Sequence, residues 1–280
     1  MDQANTEVQG APERRRANGP WPGAIPSGIP RTALVTGGAC RLGRAIALAL
    51  ADAGFAVAVH CHSSIAAAEE TAGAIRARGV AAAVLRADLA VEAEVATLFD
   101  QVPAELRPVG VLVNNAGAFR RDEWDDATRA SWDAHMEPNL RAPFVLMQRF
   151  AALLPADAEG VVINMLDQRV WAPTPHFVSY TVSKAALWAL TQSMALALAP
   201  RVRVNGIGPG PALPSARQTA DQFARQSASV PLGHGPTPEE VGRAVVDILA
   251  LPSMTGQMLA LDGGQHLQWA SSFARRQPEE

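Results

Sequence analysis

From Thr32 onward, short apolar runs rich in β-branched residues alternate with longer stretches of helical spacing. The first run, Ala33–Val35, meets a glycine-containing turn and then the helical stretch Leu42–Ala53. Phe55–His60 is the next strand, followed by a helix over Ile65–Arg78 and a strand over Ala81–Leu85. The pattern continues with helix Val91–Gln101, strand Val109–Val113, helix Arg129–Leu154 and strand Val161–Met165. Helix Tyr180–Ala199, strand Val202–Ile207, helix Pro238–Leu251 and a last strand over Gln257–Leu261 complete it. Apolar runs without polar alternation suit strands buried on both faces. Their alternation with helices predicts an α/β fold, a single Rossmann-type doubly wound parallel sheet. Residues 1–30, broken by Gly19-Pro20, Pro22-Gly23 and Gly28 to Pro30, read as a disordered N-terminal tail. The domain is expected over 31–270, with 271–280 as a C-terminal tail.

Composition narrows the field. A chain of 280 residues with net charge −3 has no basic stripe, which argues against nucleic acid as a partner. No run approaches the roughly 18 apolar residues needed to span a bilayer, so no membrane partner is expected. No apolar signal core opens the chain, and Cys40 and Cys61 form neither a metal-spacing motif nor a disulfide framework. A reducing cytoplasm and a small-molecule substrate are the resulting expectations. More telling, Lys184 is the single lysine among 24 basic residues, and Tyr180 is the single tyrosine. They stand four residues apart.

The turn Thr36-Gly37-Gly38-Ala39-Cys40-Arg41-Leu42-Gly43 lies between the first strand and first helix. Glycines there permit a tight turn and close backbone approach to a pyrophosphate, which a helix N-terminus attracts. An NAD site usually places an acid at the end of the second strand to accept the ribose hydroxyls. This chain has His60-Cys61-His62-Ser63-Ser64 instead, with Arg41 in the turn. A guanidinium with imidazoles and a hydroxyl suits a 2′-phosphate, so Arg41, His60, His62 and Ser64 predict NADP(H) as cofactor. The bland alternative is a surface arginine and two strand-capping histidines. Asp88-Leu89 and Asn114-Asn115-Ala116-Gly117 fall at C-terminal ends of parallel strands, the edge where such sheets bind ligands, although Asn also serves loop geometry.

Tyr180 and Lys184, at i and i+4, share one helix face. An adjacent ammonium favours phenolate and makes Tyr180 a competent general acid. Taken in order, the glycine turn, Asp88, Asn114 to Gly117, Asn139, Tyr180-Thr-Val-Ser-Lys184 and Asn205-Gly-Ile-Gly-Pro209-Gly210 resemble the short-chain dehydrogenase/reductase family over about residues 31–270. The resemblance implies about seven strands, a homotetramer, and Pro209 and Gly210 beside the cofactor. It also implies a proton-relay water positioned by Asn139, and a nicotinamide ribose held by Lys184. Most of that family carries Ser thirteen residues before the tyrosine, where this chain has Asp167. Asp167, Arg41 in the place of a turn glycine, His60-x-His62-x-Ser64 and Phe119 together resemble the pteridine reductase branch. That branch implies NADPH-dependent reduction of an oxidised or dihydro pterin, with Tyr180 and Asp167 as proton donors and Phe119 stacking the ring against the nicotinamide. A carboxyl group is physically apt for an aminopyrimidinone ring. The alternatives are that Asp167 satisfies loop amides, that Phe119 is core, and that the substrate is a ketone or alcohol. Ser63, Ala212 and Gly117 depart from the branch. Trp171 and Gln265 to Trp269 are candidates either for the pocket wall or for a subunit interface.

Overall fold

A computed structural model describes residues 24–215 and 217–268. Seven parallel strands form one sheet: β1 (Thr32–Val35), β2 (Ala56–Cys61), β3 (Ala82–Arg86), β4 (Val111–Asn114), β5 (Gly160–Met165), β6 (Val202–Pro209) and β7 (Met258–Leu261). Their order is β3-β2-β1-β4-β5-β6-β7. The chain moves outward from β1 to β3 and then returns to β4 on the other side. The crossovers therefore diverge between β1 and β4, and a crevice opens at the carboxyl ends of those strands.

The five inner strands are buried on both faces, which explains their unbroken apolar runs, while the edge strands β3 and β7 are half-buried. On β1, Ala33 and Val35 join a core with Ile46 and Leu50 of α1 (Arg41–Asp52) and Ile248 of α8 (Pro238–Leu249). Leu34, pointing the other way, joins Leu98, Leu146, Phe150 and Met194. That second layer contains α5 (Ala142–Leu153) and α6 (Val178–Leu198). Between them, α2 (Ile65–Arg76) and α3 (Glu92–Thr97) flank the β2–β3 side. All seven expected strands appear, each within a few residues of its expected span.

Three expectations need correction. The stretch Arg129–Leu154 is not one helix: α4 (Arg129–Met136) passes through a π-helical segment, Glu137–Arg141, before α5. Pro138 has no N–H to continue the α ladder, and the widened turn absorbs that loss. Between β6 and the helix expected from Pro238, where the sequence pattern assigned no element, the chain holds α7 (Ala220–Ala228), started by a capping box between Thr219 and Gln222. The expected tail also ends too late. Ile29 is fully buried, and the Gly28 carbonyl accepts from the Glu159 N–H at 2.9 Å. The rest of the expected tails, 1–23 and 269–280, lies outside the described residues. Among the described residues no helix is long and apolar enough to cross a membrane.

Helices α1 and α8 touch through Gly242, where an added Cβ would stand 2.8 Å from the Ala45 carbonyl oxygen and 3.0 Å from Ala49 Cβ. Alanine is favoured over glycine in a helix by about 1 kcal/mol. The obstruction here is backbone, which cannot swing aside, and overpacking typically costs about 1–3 kcal/mol. Gly242→Ala should therefore lower unfolding stability in urea. A variant more stable than the parent would show that the α1–α8 contact yields without cost.

Candidate active site

The crevice is a cavity of about 750 Å³. Most of the residues expected at the site line it; Ser64, Asn114, Asn139 and Trp171 do not. Its cofactor half is built on the turn between β1 and α1. Gly37 stands at φ +61°, which favours glycine, and a Cβ on Gly43 would lie 2.0 Å from the Gly37 carbonyl oxygen, which requires it. Thr36 ties this turn to the end of β4: its hydroxyl accepts the N–H groups of Asn115 (2.9 Å) and Ala116 (3.0 Å). Asn115 Nδ2 returns a bond to the Thr36 carbonyl at 2.9 Å. On the far wall, a Cβ on Gly210 would meet Asp262 Cα at 2.7 Å. This bare backbone around an open α1 N-terminus fits a dinucleotide pyrophosphate.

Arg41, at the position where resemblance expects glycine, keeps a glycine-like backbone with φ +54°. Such a conformation costs a non-glycine residue about 1 kcal/mol or more. The Arg41 side chain is exposed in the cavity and donates to the Pro214 carbonyl at 2.8 Å. His62 and Asp88 lie 3.7 Å apart at the same end. His60 departs from expectation. It is 2% exposed, its Nδ1 accepts the Gly37 N–H at 3.1 Å, and its Nε2 donates to the Ala87 carbonyl at 3.0 Å. Burial pushes its pKa below the ordinary range, so the ring is neutral. It braces the glycine turn and has no nitrogen left for a phosphate. Ser64 sits exposed at the start of α2, off the cavity wall.

The chemical half lies where β5 meets α6. Tyr180 Oη donates to Asp167 Oδ2 at 2.9 Å. Lys184, 5% exposed, donates from Nζ to the Met165 carbonyl at 2.7 Å. Desolvation lowers its pKa from 10.5 to about 8, with the Asp167 charge opposing. Asp167 Oδ1 accepts the Arg169 N–H at 2.8 Å, capping the single turn Gln168–Val170. The loop-amide reading of Asp167 is thus correct for one oxygen, while the other faces the phenol. Asn139 is fully buried on the π segment. Its side chain accepts from Ala118 N (2.7 Å) and donates to Ala118 O (3.0 Å) and Ser183 Oγ (3.0 Å). It therefore shapes the site from behind. Gly117 must be small here, since a Cβ would sit 3.0 Å from Asn139 Oδ1.

Phe119 meets Tyr180 edge-on at 4.7 Å between ring centroids and stacks on Phe177 at 4.9 Å. Reading the sequence missed Phe177, and it missed Arg169, whose guanidinium lies 3.7 Å from Asp167 Oδ2 and 5.6 Å from the Phe119 centroid. Proximity of Arg169 to Asp167 in the chain was the available signal for one of them; nothing local announces the other. Gln265 joins the cavity wall, whereas Trp171 packs against Trp188 and His266. Trp269 lies outside the described residues.

The family model for short chain dehydrogenases matches residues 31–225. The FolM alternative dihydrofolate reductase 1 of Brucella canis, crystallised with NADP, is 44% identical. It superposes with a TM-score of 0.85 over 89% of this chain and 100% of its own. The angucycline C-6 ketoreductase LanV with bound NADP is 30% identical, with a TM-score of 0.81 over 88% of this chain and 98% of its own. A 3beta-hydroxysteroid dehydrogenase 1 of Eggerthella lenta is 33% identical over 88% of this chain and 97% of its own length. The chain belongs to the short-chain dehydrogenase family.

Three outcomes follow. Arg41→Ala should weaken NADPH far more than NADH, because only the former carries a 2′-phosphate to pair. Titration of both nucleotides decides this, and equal losses would remove Arg41 from phosphate recognition. Tyr180→Phe should lower kcat about 10²–10⁴-fold with NADPH affinity retained. In the parent enzyme the Lys184 ammonium is lost as pH rises through about 8. The kcat/KM of reduction should therefore fall on that alkaline side, as a limb shared with Tyr180. A profile flat to pH 10 would separate Lys184 from the chemistry.

Proposed function

We propose that this short-chain dehydrogenase is an NADPH-dependent reductase of an oxidised or dihydro pterin-like ring. The observation that carries this reading is the Tyr180–Asp167 hydrogen bond at 2.9 Å, with the Phe119 ring against the same phenol. A simple carbonyl needs one hydroxyl donor at its oxygen, whereas an aminopyrimidinone presents several donors and acceptors along one edge. Asp167 supplies an acceptor for the ring's N–H groups, and Tyr180 supplies a proton to the nitrogen beside the carbon being reduced. The single proton of that hydrogen bond sits on the phenol, so Tyr180 gives it to the ring nitrogen and recovers one from solvent, while Asp167 holds the phenol in place. NADPH supplies the hydride when bound. Gly37 and Gly43 would leave room for its pyrophosphate, Arg41 would pair its 2′-phosphate, and Lys184 would hold the nicotinamide ribose. The FolM structures, which are named as dihydrofolate reductases, support the ring-substrate reading at 44% and 46% identity.

A second reading, reduction of a ketone, is favoured by one observation. The rings of Phe119 and Phe177 stack 5° from parallel, so one Phe119 face is already taken by protein. The ketoreductases at 30–31% identity point the same way. Asp167→Ser separates the two readings, since Ser can bond a carbonyl but cannot act as a carboxyl group. NADPH oxidation should drop by about 10²-fold with dihydropterins, with cyclic ketones unaffected or improved. If the parent ignores every pterin offered and the variant changes nothing, the ketone reading stands.

A further inference from the structure

Behind Tyr180 lies a set of polar residues that the chemistry above does not use. Asp122, Ser179 and His135 are 4%, 0% and 0% exposed and come from the loop after β4, the first turn of α6 and α4. The direction of their hydrogen bonds is set by the one partner that can only donate. The Arg120 backbone N–H points at His135 Nε2 at 3.0 Å, so Nε2 is the bare nitrogen and Nδ1 carries the proton. Nδ1–H then donates to Ser179 Oγ at 2.6 Å, and the Ser179 hydroxyl donates to Asp122 Oδ2. Asp122 Oδ1 also accepts the Ser179 N–H at 3.1 Å, and Ser131 Oγ lies 3.3 Å from Oδ2. Burial lowers the His135 pKa, consistent with the neutral ring that this order of bonds demands. These are the residue types of a hydrolytic triad in the wrong sequence: serine stands between histidine and aspartate and is sealed from solvent, so no nucleophile results.

We infer that Asp122, Ser179 and His135 form a positioning relay that holds Phe119 and Tyr180 at a set distance and angle. One end of the relay grips the backbone one residue after Phe119, and its centre is the residue immediately before Tyr180. Helix α6 needs such a grip. It starts from Phe177 in a left-handed conformation, φ +58°, with no side-chain cap of its own, and the Asp122 carboxylate takes the free N–H instead. His135 adds a ring 6.0 Å from the Tyr180 ring. The part of the inference that concerns Phe119 rests on the ring-substrate reading. A planar ring uses both Phe119 and Tyr180, while a small ketone uses Tyr180 alone.

Tyr180 is the only tyrosine, so tyrosinate absorbance in the full-length enzyme reports its ionisation and nothing else. Ser179→Ala removes the centre of the relay. The tyrosinate titration should move to higher pH as the phenol drifts from Lys184. The kcat with 7,8-dihydrobiopterin, counted per NADPH-binding site, should fall about tenfold or more, since small misplacements cost up to about 100-fold. Turnover of cyclohexanone should fall less. His135→Asn, which leaves the Arg120 N–H without its acceptor, breaks the relay at its other end and should reproduce the dihydrobiopterin loss. A purely structural role would lower the melting temperature and the number of NADPH sites but leave the titration midpoint and the kcat per site unchanged; that result overturns the relay. If the parent enzyme turns over no dihydrobiopterin, the substrate reading fails, and the titration alone decides the relay.

Discussion

Lys184 is a cation almost wholly withdrawn from water, and much of the site is arranged around that fact. Moving its pKa from 10.5 to about 8 amounts to roughly 3 kcal/mol against the charged form. The compensation comes from two places on one strand end: the Met165 carbonyl at 2.7 Å and the Asp167 charge beyond it. Both work only if α6 lies close along the end of β5. The buried polar ladder Asn114 to Asn164 (2.8 Å) to Thr191 (2.9 Å) holds that layer, linking β4, β5 and α6. The lone lysine is therefore costly to keep, and an arginine, wider and planar, would not meet the same carbonyl in the same space.

Most of the framework was legible because its causes are local. Apolar runs buried on both sides gave the strands, and i, i+4 spacing put Tyr180 and Lys184 on one face. Gly43 was readable because a turn that leaves no room for Cβ admits a single residue type. What escaped has non-local causes. His60 carries a polar side chain at a strand end, where reading outward is natural. Its burial follows from bonds to Gly37 and to Ala87, 23 and 27 residues away. The π segment had one local hint, Pro138, but the helical periodicity on either side of it was strong enough to hide the extra residue. The relay of Asp122, Ser179 and His135 joins positions 44 and 57 residues apart, and nothing in the spacing signals it.

The exchange of an expected Ser for Asp167 raises an electrostatic difficulty. A carboxylate 2.9 Å from a phenol proposed to give up its proton should oppose the phenolate, since like charges at that range repel strongly in a poorly hydrated site. Lys184 alone would face a pair of anions. Arg169 resolves the conflict. Its guanidinium lies 3.7 Å from Asp167 Oδ2, with a side chain only 11% exposed. With Asp167 ionised, two cations and one carboxylate leave the cluster at +1 while Tyr180 is protonated, and at zero once the phenol has donated. Proton delivery then runs toward neutrality inside the cavity. A site with Asp167 but without Arg169 would run from neutral toward a net negative charge at the same step. Asp167 and Arg169 therefore work as a pair: the carboxylate bonds the phenol, and the guanidinium beside it offsets the charge that would otherwise oppose ionisation of that phenol.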